Sequence, residues 1–177
     1  MKRAWKKYDT TYKKRADVHS DTFLPRRAPK GVLRCAGCGA VFHRRRWSLA
    51  ASPKDGAAPG TRPVYCPACR KIKQHSVSGV VSLTGVGRRE AAAILRLLRN
   101  EEARAREKNP LGRVMRVSET KEGWTLETTT EKLAQRLGRA LGKARGGSVD
   151  YAWSHNNKFV RVTWTRPAAA PRASLRK

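Results

Sequence analysis

The chain has 177 residues, of which 40 are Lys or Arg and 13 are Asp or Glu, for a formal net charge of +27. That excess goes beyond what solubility needs and implies a polyanionic partner, because each neutralised phosphate releases condensed counterions and many weak contacts add up. No apolar run of about 18 residues is long enough to span a bilayer, and no charged segment followed by an apolar stretch and a small-residue cleavage site opens the sequence. The expected location is cytoplasmic, with no membrane partner.

Residues 1–30 hold ten Lys/Arg and show no hydrophobic periodicity, so they read as a disordered basic arm. Within it Lys6, Lys7, Lys13, Lys14 and Arg15 are candidate phosphate contacts, and Trp5, Tyr8 and Tyr12 are spaced to stack on bases when the arm orders on RNA.

Residues 31–86 read as a zinc ribbon. Cys35, Cys38, Cys66 and Cys69 form Cys-x-x-Cys, a spacer of 27 residues, and Cys-x-x-Cys. Two residues between thiols let a tight turn aim both at one ion, and two such knuckles complete a tetrahedron around a single structural Zn2+. A reducing compartment keeps such thiols free for metal instead of disulfides. Four thiolates leave no vacant position for water, so the metal is expected to hold the fold and not to do chemistry. Iron in the same ligand set and a redox dithiol are the weaker alternatives, the latter needing only one pair. Gly39 follows the first pair, where backbone amides turn toward the sulfurs. His43 and His75 also follow the pairs and, with four cysteines present, read as surface or hydrogen-bonding residues. Small residues, prolines and glycines mark 48–63 as a flexible loop. Basic groups gather on the knuckles: Arg34, Arg44, Arg45, Arg46, Arg70, Lys71 and Lys73, with Trp47 behind the arginine run. A charge run is usually a solvated face, but so many beside one compact ribbon favour phosphate contact.

The β-rich stretch Val77–Gly85 leads to residues 87–165, which read as an α+β module. Residues 88–108 are strong helix formers with Ile94, Leu95 and Leu98 on one stripe, ended by Asn109-Pro110. A period-two pattern then predicts two strands through Met115, Val117, Trp124 and Leu126, with a turn ending at Gly123. Thr129 or Thr130 caps a second helix whose Leu133, Leu137, Ala140, Leu141 and Ala144 face one side, and Gly146-Gly147 stops it. Val149, Tyr151 and Trp153 alternate, residues 155–158 turn the chain, and Val160, Val162 and Trp164 alternate again. The expected architecture is a helix followed by a β-β-α-β-β antiparallel sheet with helices over one face. Most of Trp124, Tyr151, Trp153 and Trp164 are expected to pack that sheet against its helices; on an open face they would be placed to stack on unpaired bases. Residues 166–177 read as a disordered basic tail.

Leu33 with "CAGCGAVFHRRRW", then "YCPACRKIKQHSVSGVVSLTG", "LRNEEARAREKNPLGRVMRVSET", "WTLETTTEKLAQRLGRALGKARGG" and "VRVTW", resembles a little-studied bacterial family of zinc-ribbon proteins over roughly residues 30–165. Some members of that family carry an ATPase label. Here "GRALGK", Gly138 to Lys143, has three residues between its glycines, no Ser/Thr after the lysine and a helical context, so it does not read as a phosphate-binding loop. More distantly, the ribbon followed by small α+β modules is similar to the front part of the archaeal and eukaryotic adaptor for export of the large ribosomal subunit, which implies the ribosome as a partner.

Nothing in the sequence supplies a nucleophile elbow, a metal with an open position or a partnered carboxylate pair. Glu101-Glu102 reads as a solvated helix face balancing nearby arginines. The expected function is therefore non-enzymatic RNA binding, with ribosomal RNA and the ribosome first. The same charge serves DNA, so a DNA-associated or transcription-linked zinc-ribbon factor is the alternative.

Overall fold

The computed structural model describes residues 32–49, 64–154 and 159–167. The expected basic arm, nearly all of the 48–63 loop and most of the tail lie outside the described residues. No helix among those described is long and apolar enough to cross a membrane.

The chain folds as an N-terminal four-cysteine module followed by an α+β sheet module. The first consists of β1 (Leu33–Arg34), β2 (Val41–His43) and β3 (Arg46–Ser48), paired antiparallel in that order, and a short helix α1 (Pro67–Lys73). Cys66 caps α1 and Pro67 occupies its first turn, where the missing N–H has no intrahelical partner to lose. A parallel bridge between Cys35 and Val64, with Ala36 N–H donating to the Val64 carbonyl at 3.0 Å, ties the two cysteine pairs together.

The second module runs β4 (Gly79–Thr84), α2 (Arg88–Lys108), β5 (Val114–Thr120), β6 (Gly123–Thr128), α3 (Glu131–Arg145), β7 (Ser148–Trp153) and β8 (Val160–Thr165). Its sheet order is β5-β6-β4-β8-β7. The β-rich stretch after the second cysteine pair thus becomes the central strand, β4, which joins the expected β-β-α-β-β series. Three pairings are antiparallel, as expected, and the fourth, β4 with β8, is parallel. The parallel pair arises because α3 carries the chain across the sheet to β7 at the far edge, and β8 then returns between β7 and β4. Helix 88–108 ends at Asn109 as the sequence predicts.

Both helices cover one face. Val81, Leu83, Leu126, Val160, Val162 and Trp164 point from the sheet toward Ile94, Leu98, Leu133, Leu137 and Leu141. Thr130 caps α3 by accepting from the Leu133 N–H at 3.3 Å. The neighbouring Thr129 is buried; its hydroxyl accepts from the Arg113 N–H at 2.8 Å and donates to the Leu111 carbonyl at 2.6 Å. In α3 the inward stripe includes Ala134 and Gly138, while Ala140 is half-buried and Ala144 exposed, a rotation from the expected stripe. The cause is close packing at Gly138: a Cβ there would stand 2.5 Å from Val162 Cγ1.

No described helix packs on the other face of the sheet. Register puts Ser118, Thr125, Ser82, Thr163 and Asp150 in one row across all five strands, beside Arg116, Glu127, Val80, Arg161 and Ala152. None of the four sheet aromatics lies on this face. Trp124 pairs with Leu83, Trp164 with Leu83 and Val149, Tyr151 with Val162, and Trp153 with Val160, all on the helix side.

Candidate metal centre

The first cysteine pair turns at the end of β1. Cys35 N–H donates to the Ala40 carbonyl at 2.8 Å and Gly39 N–H to the Cys35 carbonyl at 2.9 Å. Gly39 sits at φ +73°, left-handed backbone that a side chain disfavours. The second pair occupies the start of α1, where one helical turn separates Cys66 from Cys69 and points both sulfurs at the first pair.

The four Sγ atoms all lie within 4.8 Å of one another, and Cys38 and Cys66 are 3.7 Å apart. A tetrahedron with Zn–S bonds of about 2.3 Å has edges of about 3.8 Å. The cluster therefore fits a single structural Zn2+ held by Cys35, Cys38, Cys66 and Cys69. Three of these residues are buried, and Cys66 N–H donates to Cys35 Sγ at 3.2 Å while Cys69 N–H donates to Cys66 Sγ at 3.4 Å. Such donation stabilises thiolates over thiols.

Protonation states point the same way. Burial pushes the Cys66 thiol far above its ordinary range, more than the Cys69 N–H brings it back, and the neighbouring sulfurs add to the rise. Burial likewise pushes Cys69 up to about 11. For Cys35 burial is outweighed by N–H groups of Cys66, Gly37 and Cys38 and by the Cys38 thiol, which together bring it to about 7. Four thiolates cannot share this space without a cation, and a divalent ion supplies the missing charge.

One contributor comes from the sheet module. Arg113 Nη1 donates to Cys69 Sγ at 3.4 Å, and Leu111 packs against the same cluster. Four thiolates around Zn2+ carry two excess negative charges, which a guanidinium at that distance partly offsets. Lys71 Nζ donates to Ser78 Oγ at 2.9 Å and to the Thr129 carbonyl at 3.2 Å, fastening α1 to the sheet module.

The remaining basic residues are distributed as follows. Arg34, Arg44, Arg45 and Arg46 are exposed, Arg70 is half-buried, and Lys73 stands 3.6 Å over the Tyr65 ring. Trp47 is half-buried against the cysteine cluster and its ring centroid lies 5.3 Å from that of Phe42. His43 and His75 are exposed and neither joins the cysteine cluster. Lys6, Lys7, Lys13, Lys14 and Arg15 lie outside the described residues. Arg44 and Arg45 form the two-residue loop between β2 and β3, since His43 pairs with Arg46. Their φ angles are 46° and 63°. A two-residue hairpin loop with both φ positive normally uses Asn-Gly or a similar pair. Here it is filled by two arginines whose side chains project from the tip.

In comparison with known proteins, no family model matches the chain, and neither a curated protein nor a solved structure does. Fold and site define a structural zinc-binding module of zinc-ribbon type joined to an α+β domain.

Proposed function

We propose that this protein is a non-enzymatic RNA-binding protein, with ribosomal RNA and the ribosome as its foremost target. In this reading the zinc module presents Arg44, Arg45 and Arg46 to phosphates. The observation that carries it is the β2–β3 tip. Two arginines occupy left-handed backbone that costs a side chain roughly 1–2 kcal/mol per residue, in an exposed two-residue loop on the hairpin that follows the first cysteine pair. Strain of this kind persists where the residue type serves something other than the fold. Guanidinium forks match phosphate geometry. The net charge of +27 supplies the long-range attraction. The resemblance to bacterial zinc-ribbon proteins, and more distantly to the export adaptor, ranks ribosomal RNA ahead of other RNAs.

The test is a salt series with the full chain on structured RNA and on duplex DNA of equal length. Log K against log[salt] is expected to fall by about 0.7–0.9 for each phosphate neutralised, with RNA bound more tightly at every salt concentration. Equal or tighter binding to DNA would transfer the assignment to a DNA-associated factor, and salt-insensitive binding would remove the phosphate contacts altogether.

A further inference from the structure

The helix-covered side of the sheet holds two large aromatics that the helices do not cover. Tyr151 and Trp153 are 40% and 42% exposed, although their partners across β8, Val162 and Val160, are completely buried. The reason is their strand. Among the described residues β7 is an edge strand paired with β8 alone, and α3 faces it with Gly138 and Gly142, whose lack of side chains leaves the outer rings uncovered. The Tyr151 hydroxyl lies about where α3 comes closest, 3.3 Å from the position of a Cβ on Gly138.

Along α3, Lys132, Arg139 and Lys143 are exposed at i, i+7 and i+11, which puts them on one stripe. Arg139 is near enough for its charge to act on the Tyr151 hydroxyl. Among the described residues the other sheet face offers no comparable site: it carries no aromatic ring apart from Phe159 at its rim, where Arg161 stacks at 5.0 Å, and its Arg116 and Arg161 share it with Glu127 and Asp150.

We propose that Tyr151 and Trp153 form a stacking platform for two unstacked bases of single-stranded RNA, with the α3 stripe of Lys132, Arg139 and Lys143 holding the adjoining phosphates. This rests on the RNA-binding reading above and adds a second contact surface to it. Residues two apart on one strand stand about 6.6 Å from each other. Stacked bases rise only about 3.4 Å, so the two rings do not fit one continuous stack and instead receive bases drawn apart, as in single strands. A second copy of the chain is the rival occupant of an exposed edge, but it would bring a charge of +27 against +27. Like charge on that scale opposes self-association and favours a polyanion. Aromatic rings beside a cationic groove are the combination by which sequence-tolerant single-strand binding works.

The experiment compares a 15-nucleotide oligouridylate with a blunt RNA duplex, by fluorescence anisotropy of the labelled RNA at 0.15 M salt. Trp153→Leu and Tyr151→Leu are each expected to weaken single-strand binding by about fivefold or more, with duplex affinity and salt slope unchanged, because stacking releases no counterions. Trp153→Phe keeps a ring and should retain most of the affinity. A photo-cross-link of 5-iodouridine RNA to the wild-type chain provides a check that needs no variant: the adduct is expected on Trp153 or Tyr151. Wild-type binding that both leucine variants reproduce, or adducts confined to other residues, overturns the platform and leaves the RNA reading standing. Wild type that binds neither RNA defeats the RNA reading itself. A dimer in sedimentation that Trp153→Leu dissociates would assign the surface to a second copy and overturn the proposal.

Discussion

Replacing the arginine tip by the residues its backbone prefers separates fold from function. In Arg44→Asn combined with Arg45→Gly, the two φ angles of 46° and 63° become ordinary for their residues. Relief of roughly 1–2 kcal/mol at each position, less about 1 kcal/mol for the added freedom of glycine in the unfolded chain, leaves a net gain of about 1–3 kcal/mol. For a domain of this size that is a rise in Tm of about 3–9 °C. Binding should move the opposite way. If each arginine neutralises one phosphate, the slope of log K against log[salt] becomes shallower by about 1.4–1.8. Taking each contact as worthless at 1 M salt, the loss at 0.15 M is about fivefold per contact, or about 20-fold together. Calorimetry with zinc bound and an RNA salt titration on the same preparation check both halves. A variant that gains stability and binds like wild type refutes the phosphate role of the tip. One that loses stability refutes the strain from which that role is inferred.

Elemental analysis should find one zinc per chain, and Cys66→Ser should lose it together with the fold of the N-terminal module, because metal binding in such sites is folding energy. Arg113→Leu should keep the one-to-one stoichiometry but release zinc to a competing chelator about tenfold more readily; unchanged affinity would mean that the 3.4 Å contact to Cys69 is incidental. Gly138→Ala should destabilise by about 1–3 kcal/mol, since overpacking against Val162 Cγ1 outweighs a helix-propensity gain of about 1 kcal/mol; a rise in Tm would contradict the close packing of α3. Glu101 is mostly buried, and although burial raises its carboxyl, hydrogen bonds and charge from Arg136 and Arg104 outweigh that and hold it below 4.5. Its folded value is depressed, so its contribution is complete above pH 4.5 and is lost as pH falls through the folded value. Glu101→Gln should therefore be less stable than wild type by about 1 kcal/mol at pH 7, with the gap closing on acidification; a gap independent of pH would deny the ion pairs.

The metal ligands were legible in the sequence because their signal is local: thiol pairs at a fixed spacing need no tertiary information. Helix 88–108 was legible for the same reason, through strong helix formers and a Pro-marked end. The α1 helix gave no such signal, being only seven residues long and begun by a cysteine cap. Arg113 was invisible as part of the site, since it lies 44 positions from the Cys69 it touches. Alternation in β7 and β8 showed which residues share a face, but neither that β8 lies between β4 and β7 nor that the outer strand leaves Tyr151 and Trp153 uncovered. From sequence Glu101 reads as a solvated face, whereas the structure places it between Arg104 and Arg136 across the α2–α3 seam at 2.8 and 3.1 Å. The strain at the arginine tip was hidden too, because Arg-Arg does not have the composition of a turn and only the pairing of His43 with Arg46 makes it one.

Cross-linking the protein to nucleic acid in living cells, sequencing what is bound and sedimenting the same lysate through a ribosome gradient tests the central claim most directly. Enriched ribosomal RNA, with the protein travelling in the ribosomal fractions and leaving them as salt is raised, is the expected result. Recovery of genomic DNA, or of no nucleic acid above an uncross-linked control, would contradict it.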